Sequence, residues 1–257
     1  MKPLDRHPVY PFSADGLIEQ LTLSANRLKL QIDHLGWVDS YPLLFFHSDN
    51  SQKEKEGRLI AAGFHGDEPA GPWGVLSFLN SLPLALIQDR KVGILPLVNP
   101  TGLNQAARRN RWGEDPNRGF CHPELGIPSP SFEGQILLRH LDLLIDYAGG
   151  GFLSLHEDID ELEYYIYTFH KNETDLEYTP ALMQSLEAFF PPYSQNTVEG
   201  QPIAGSVVSN YCDGSFEDLL FHKGIHFTAC TETPAKTDFQ TRVQANQKLI
   251  ETFLRSP

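Results

Sequence analysis

Short apolar runs of strand length punctuate the chain, separated by segments whose apolar residues recur at helical spacing. The runs are "YPLLFFH" (41–47), "RLIAAGF" (58–64), "KVGILPLV" (91–98), "GFLSLH" (151–156), "EYYIYTF" (163–169) and "IHFTACT" (225–231). Several are apolar throughout, which suits strands covered on both faces rather than strands with one wet face. Helical periodicity covers about 71–81, 133–147, 180–190 and 239–255, and residues 14–32 read as one or two outer helices. Strands alternating with helices predict an α/β fold with helices on both faces of the sheet. No repeat or low-complexity linker divides the sequence, so a single domain over 1–257 is expected.

The polar residues that end these runs carry the chemistry. His65 follows one run, Asn99-Pro100 the next, His156 a third and Glu232 the last. Ligands of open α/β sheets bind outside the carboxyl ends of the strands, so these positions converge on one crevice. His65 and Glu68, in "FHGDEP", are either a turn with a polar edge or half of a metal site. His156 is the natural third ligand, since a catalytic zinc takes about three protein ligands and leaves one position open. Glu157 or Asp158 is expected to orient an imidazole, because ligating histidines usually donate their other ring nitrogen to a carboxylate. Gly66 is expected to permit the bend between His65 and Glu68. The histidines at 122, 140, 170, 222 and 226 lack this setting and read as surface or core residues.

Charge narrows the partners. Twenty Lys+Arg against 33 Asp+Glu give a formal net charge of −13, which argues against nucleic acid or an anionic membrane surface. The opening "MKPLDRHPVYPFSADG" has prolines and charges where a signal peptide needs an apolar stretch, and no run approaches the roughly 18 apolar residues of a membrane span. Cys121, Cys212 and Cys230 are far apart and form no CxxC pair, so free thiols in a reducing, cytoplasmic setting are expected. The oligomeric state is not legible. In this acidic chain, "NPTGLNQAARRNRWGEDPNRGF" (99–120) gathers Arg108, Arg109, Arg111 and Arg118. They read as a solvated basic face, as ion pairs, or as a clamp for a carboxylate, with which guanidinium pairs bidentately.

Taken together, these segments resemble the carboxypeptidase A-like zinc metallopeptidases. That family runs HxxE, N-P-D-G, R-x-N-x-x-G-x-D-x-N-R, then a strand-end His and a strand-end Glu. Here the pattern reads His65-Gly-Asp-Glu68, Asn99-Pro-Thr-Gly102 and Arg108-x-Asn110-x-x-Gly113-x-Asp115-x-Asn117-Arg118, completed by His156 and Glu232. The likeness covers about 58–254; Thr101 and Pro116 depart from it. It implies a three-layer α/β/α fold with a mixed, mostly parallel central sheet. It further implies one Zn2+ on His65, Glu68 and His156, Glu232 as general base and Arg108 at the oxyanion. Asn117, Arg118 and Tyr211 would hold the substrate's free carboxylate, and Phe216 would line the pocket for its terminal side chain, weakly favouring apolar residues. Asn110, Gly113 and Asp115 read as structural members of the motif.

The implied activity is hydrolysis of an amide bond beside the free carboxylate terminus of a peptide or muropeptide. In architecture the chain looks like the murein peptide amidases. An N-acyl amino acid deacylase of the aspartoacylase and succinylglutamate desuccinylase type shares the same logic. Those relatives usually carry a further β-rich domain after the catalytic glutamate, which counts against them here. A peptide-binding module that has lost its chemistry is a further alternative.

Overall fold

The computed structural model describes residues 13–48, 56–81, 84–88, 90–126, 128–171 and 178–256. Helix α1 (Ala14–Arg27) opens on Ser13, whose hydroxyl accepts from the Gly16 amide, and ends before Lys29, which takes a left-handed φ of 58°. The chain then turns into strand β1 (Gln31–Val38), paired antiparallel with β2 (Tyr41–His47). Residues 14–32 are therefore helix only as far as Arg27. The strand that follows was hidden in the sequence because it is a bulged edge strand with only two of its eight positions buried rather than an apolar run.

Strands β3 (Arg58–Ala62), β4 (Val92–Leu95), β5 (Phe152–Asp158), β6 (Tyr165–His170), β9 (Val207–Ser209) and β10 (Phe227–Pro234) complete an eight-stranded sheet of order β1-β2-β4-β3-β5-β10-β6-β9. Its centre, β4-β3-β5-β10, is parallel; β2 and β6 run antiparallel to that block. Strands β7 (Thr197–Val198) and β8 (Gln201–Pro202) form a separate ribbon.

Side-chain alternation along the central strands builds two cores. Ile60, Ala62, Leu153 and Leu155 pack on one face with Leu21 of α1, Phe78 of α2 (Ala70–Asn80), Leu182 of α7 (Tyr178–Glu187) and Leu249 of α9 (Phe239–Arg255). Leu59, Ala61 and Phe152 pack on the other with Leu137 of α5 (Phe132–Arg139), Leu144 of α6 (Leu141–Ala148) and Leu220 of α8 (Phe216–His222). The result is the expected three-layer α/β/α fold with a mixed, mostly parallel sheet. Two short helices, α3 (Leu84–Gln88) and α4 (Pro100–Gln105), are too brief to announce themselves by periodicity. The stretch 133–147 is two helices, broken at His140, whose ring Nε2 bonds the Leu35 carbonyl at 2.8 Å. No helix among the described residues is long and apolar enough to cross a membrane.

Candidate active site

His65 leaves the C-terminal end of β3, and Glu68 precedes α2, so the turn between strand and helix brings their side chains together: Nδ1 of His65 lies 2.6 Å from Glu68 Oε1. His156, within β5, places Nδ1 2.7 Å from Glu68 Oε2 and 3.2 Å from His65 Nδ1. All three residues are buried, and their donor atoms lie within 4.8 Å of one another. Phe64 stacks on the His156 ring, centroids 5.8 Å apart and planes at 8°, which fixes its tilt.

The far side of each imidazole is anchored as well. Nε2 of His65 donates to Asp115 Oδ1 at 3.1 Å. Nε2 of His156 lies 3.4 Å from the Asn117 amide nitrogen and 3.8 Å from Glu217 Oε1. Glu157 and Asp158 do not supply these contacts. Glu157 projects from the opposite face of β5, where Arg242 pairs with it and its carboxylate accepts from the Ala70 amide at 2.6 Å. Asp158 accepts from the Tyr165 hydroxyl at 2.6 Å.

Two imidazoles and a carboxylate suit a divalent metal of the zinc type. The charge balance of the cluster fits one too. Burial alone would lower the pKa of His65, but Glu68 and Asp115 outweigh it and raise it to about 8. Burial works against ionisation of Glu68, yet the two histidines hold its carboxyl far below the usual range. An anion so placed between two Nδ1 atoms is compensated either by a proton or by a cation.

Gly66 owes its place to crowding rather than to backbone freedom. A Cβ there would sit 1.9 Å from the Gly102 carbonyl carbon, and its amide bonds the Ala107 carbonyl at 3.0 Å. Asn99 fixes that neighbouring turn: its side chain accepts from the Gly102 amide at 2.7 Å and donates to the Phe64 carbonyl at 3.2 Å. Thr101, where the family pattern has Asp, takes part by donating to Asn99 and accepting from the Arg111 amide.

Beside the cluster opens a cleft lined among others by Arg108, Arg118, Tyr211, Asp213, Glu217 and Glu232. Glu232 sits inside β10, in register with His156 of β5 and Tyr165 of β6, with its carboxylate within 4.8 Å of a His156 ring nitrogen. Burial, then Glu68 and Asp158, push its pKa well above the usual carboxylate range, opposed by the Cys230 thiol that donates to it and by Arg108. Arg108 Nε donates to Asp115 at 3.2 Å, and Nη1 lies 3.5 Å from Glu68. Arg118 pairs with Asp213 at 3.1 Å. Arg111 pairs instead with Asp39, away from the cleft.

Asn117 borders the cleft, but both ends of its amide are engaged: Oδ1 accepts from the Phe216 amide and Nδ2 donates to Glu217, each at 3.0 Å. Phe216 departs from expectation. It is fully buried among Phe64, Phe120 and Phe152, and the cleft wall is formed by its neighbours Ser215 and Glu217. The lining is polar rather than apolar, with Asp213, Glu217 and Glu199 beside Arg108, Arg118, Tyr167 and Tyr211. Glu217 is almost wholly buried, and its Oε1 has no hydrogen-bond partner among the described residues. The sequence signal for Glu217 was its place after the N-cap Ser215 of a short helix behind Tyr211. Asp115 was visible in the arginine motif, but its bond to His65 was not.

The sequence pattern of the succinylglutamate desuccinylase/aspartoacylase catalytic domain matches residues 56–201. A protein of Shewanella denitrificans designated a candidate metallopeptidase is 39% identical, with 93% of this chain and 88% of that one aligned and a TM-score of 0.86. A similarly designated Shewanella baltica protein is 36% identical, over 93% and 91% of the two chains, with a TM-score of 0.87. A metallo-carboxypeptidase from Burkholderia cenocepacia shares the fold at 16% identity and a TM-score of 0.72, over 95% of this chain and 69% of that one. Among curated proteins no match is found. The carboxypeptidase-like resemblance thus stands, with the pattern match on the branch that the sequence reading had placed second. The chain belongs to the succinylglutamate desuccinylase/aspartoacylase catalytic-domain family, a hydrolase with the zinc-peptidase type of fold.

Proposed function

We propose that this chain is a zinc-dependent hydrolase that cleaves an amide bond beside a residue with a free α-carboxylate, its substrate being a peptide. The observation that carries this reading is the opening of one cleft onto Glu232, Arg108 and Arg118 together with His65 and His156, whose donor atoms cluster with those of Glu68. A zinc ion held by those donors supplies Lewis acidity and makes a neighbouring water more acidic.

The remaining work falls to the chain's own groups. Glu232, which lines the cleft with its carboxylate within 4.8 Å of a His156 ring nitrogen, accepts the proton of the attacking water and returns it to the leaving amine. Arg108, held by Asp115, faces the oxygen that becomes negative when the carbonyl is attacked, a preorganised contact. Arg118 takes the free carboxylate in exchange for Asp213, and Tyr211 closes over it. Asn117 positions rather than binds: it ties Glu217 and the start of α8 beneath His156.

The carboxylates of the lining, Asp213, Glu217 and Glu199, support a terminal residue with an amino or guanidinium side chain. They disfavour the glutamate or aspartate side chains named in the family's description, which they would repel. N-acyl amino acid deacylation is the second reading, favoured by the family match. Both readings place the same carboxylate clamp beside the same scissile bond. The free state of Cys121, Cys212 and Cys230 accords with a cytoplasmic setting, where peptides or muropeptide fragments are available substrates.

Mass spectrometry of a mixed library separates these readings. It contains peptides ending in Lys, Arg, Phe or Glu with free or amidated termini, muropeptides, N-succinylglutamate and N-acetylaspartate. Release of a terminal basic residue from free-carboxylate peptides alone is the expected result. Equal cleavage of amidated peptides removes the clamp assignment, and turnover of only the N-acyl compounds moves the chain to the deacylase reading.

A further inference from the structure

Outside the cleft, the start of the loop after Phe120, the loop before α8 and both ends of that helix bring four zinc-type donors together. The ligating atoms of His122, Cys212, Asp218 and His222 all lie within 4.8 Å of one another. His222 Nδ1 is 2.9 Å from Asp218 Oδ1, His122 Nε2 is 3.3 Å from the same carboxylate, and the two rings meet edge to face with centroids 4.8 Å apart. None of the four lines the cleft.

We propose that His122, Cys212, Asp218 and His222 form a second metal site, suited to zinc, that pins the loop carrying Tyr211 and Asp213 against α8. The donor set is closed, with two imidazoles, one thiolate and one carboxylate, and four protein ligands leave no open position, as in structural rather than catalytic zinc centres. The sulfur excludes magnesium and calcium, whose ligands are oxygens. Tetrahedral zinc with these ligands sets donors about 3.3–3.8 Å apart, so the cluster needs only small side-chain adjustments.

The surroundings are built for this arrangement. Asp218 is fully buried, and its carboxylate is held from behind by the Gly214 amide at 3.0 Å. His122 adopts a left-handed φ of 58°, which turns its ring back towards α8 and which only a specific set of contacts maintains. The Phe120 amide bonds the Gly214 carbonyl at 3.0 Å, tying the two loops together one step inside the cluster. Hydrogen bonds from His122 to the Asp218 carboxylate and from His222 to the Asp218 carbonyl hold the corner without an ion, while Cys212 has only a long contact with the Asn210 carbonyl, at 3.9 Å. A metal uses all four residues.

The site has a mechanical consequence. Cys212 lies between Tyr211 and Asp213, and Asp218 follows Glu217, so the ion would hold those cleft residues at a fixed spacing from Arg118. Binding replaces the thiol proton of Cys212, which is released to solvent as the sulfur–metal bond forms.

Metal content of the full chain tests the proposal. Zinc-loaded protein cleared of loosely held ion is expected to carry two ions per chain. His222→Gln and Cys212→Ser should each keep one, and His65→Ala should keep the other. With Co2+ in place of zinc, sulfur-to-cobalt charge-transfer absorption should appear. It should disappear in Cys212→Ser and persist in Cys230→Ser, which separates this cluster from Cys230 beside Glu232. His222 and Cys212 are exposed, so these variants should fold, and circular dichroism checks that they do. One ion per chain, lost in His65→Ala and unaffected by His222→Gln, overturns the proposal. So does sulfur-to-cobalt absorption that survives Cys212→Ser.

Discussion

Asp115 holds His65 by its Nε2, 3.1 Å away, on the side of the ring turned from Glu68. Its other oxygen accepts from Arg108 Nε, so one carboxylate orients both a candidate metal ligand and the cation proposed to face the reacting carbonyl. Asp115→Asn keeps the shape and removes the charge. Such outer partners typically govern metal affinity by about 10–100-fold. Chelator competition should show a loss of that order for Asp115→Asn, with Arg108 also loosened. An unchanged affinity would mean that Asp115 only shapes the loop.

Metal uptake should depend on pH through His65. Its pKa in the metal-free chain is raised to about 8, and a ligand nitrogen must be free of its proton. The folded metal-free chain therefore keeps His65 protonated below about pH 8, and bound metal must displace that proton. Apparent affinity should weaken as pH falls below 8, by about tenfold per unit while one proton is exchanged. Isothermal titration in buffers of different ionisation enthalpy would count that proton. Affinity constant from pH 6 to 8 contradicts the assignment.

Glu232→Gln tests the base directly. A general base contributes about 10²–10⁴-fold, so kcat should fall by that range while the metal content is unchanged. Retained metal with the full hydrolytic rate would transfer the role to another group.

Gly66→Ala tests how the turn is built. The added methyl would meet the backbone of Gly102 and Leu103, which cannot move aside as a flexible side chain could. Overpacking of this kind costs about 3 kcal/mol. The variant should lower the urea midpoint accordingly and weaken metal binding, because His65 precedes the crowded position. Equal stability would mean that the two turns can separate without cost.

The candidate ligands and the proposed base were legible because strand ends leave a simple sequence signature: an apolar run, then His65, His156 or Glu232. Their positions were approximate, since β5 and β10 continue to Asp158 and Pro234 and place His156 and Glu232 within the strands. What a single sequence does not reveal is which face a neighbour takes. Glu157 follows His156 yet points to Arg242, and Phe216 precedes Glu217 yet fills the core. Alternation along a strand, or about 100° of turn along a helix, decides such cases only once the register is fixed. His122 and His222 read as unremarkable because their common partner, Asp218, is remote in sequence from the first and buried beneath the second.

Glu232 and His156 occupy the same rung of the parallel β5–β10 ladder. Their separation is therefore set by the sheet's own repeat and not by the posture of a loop. A slip of one residue between these strands would turn one of the two away from the cleft and break the pairing of candidate ligand and proposed base. Catalytic competence would then certify strand registry: during refolding, turnover should return only in step with correctly aligned sheet.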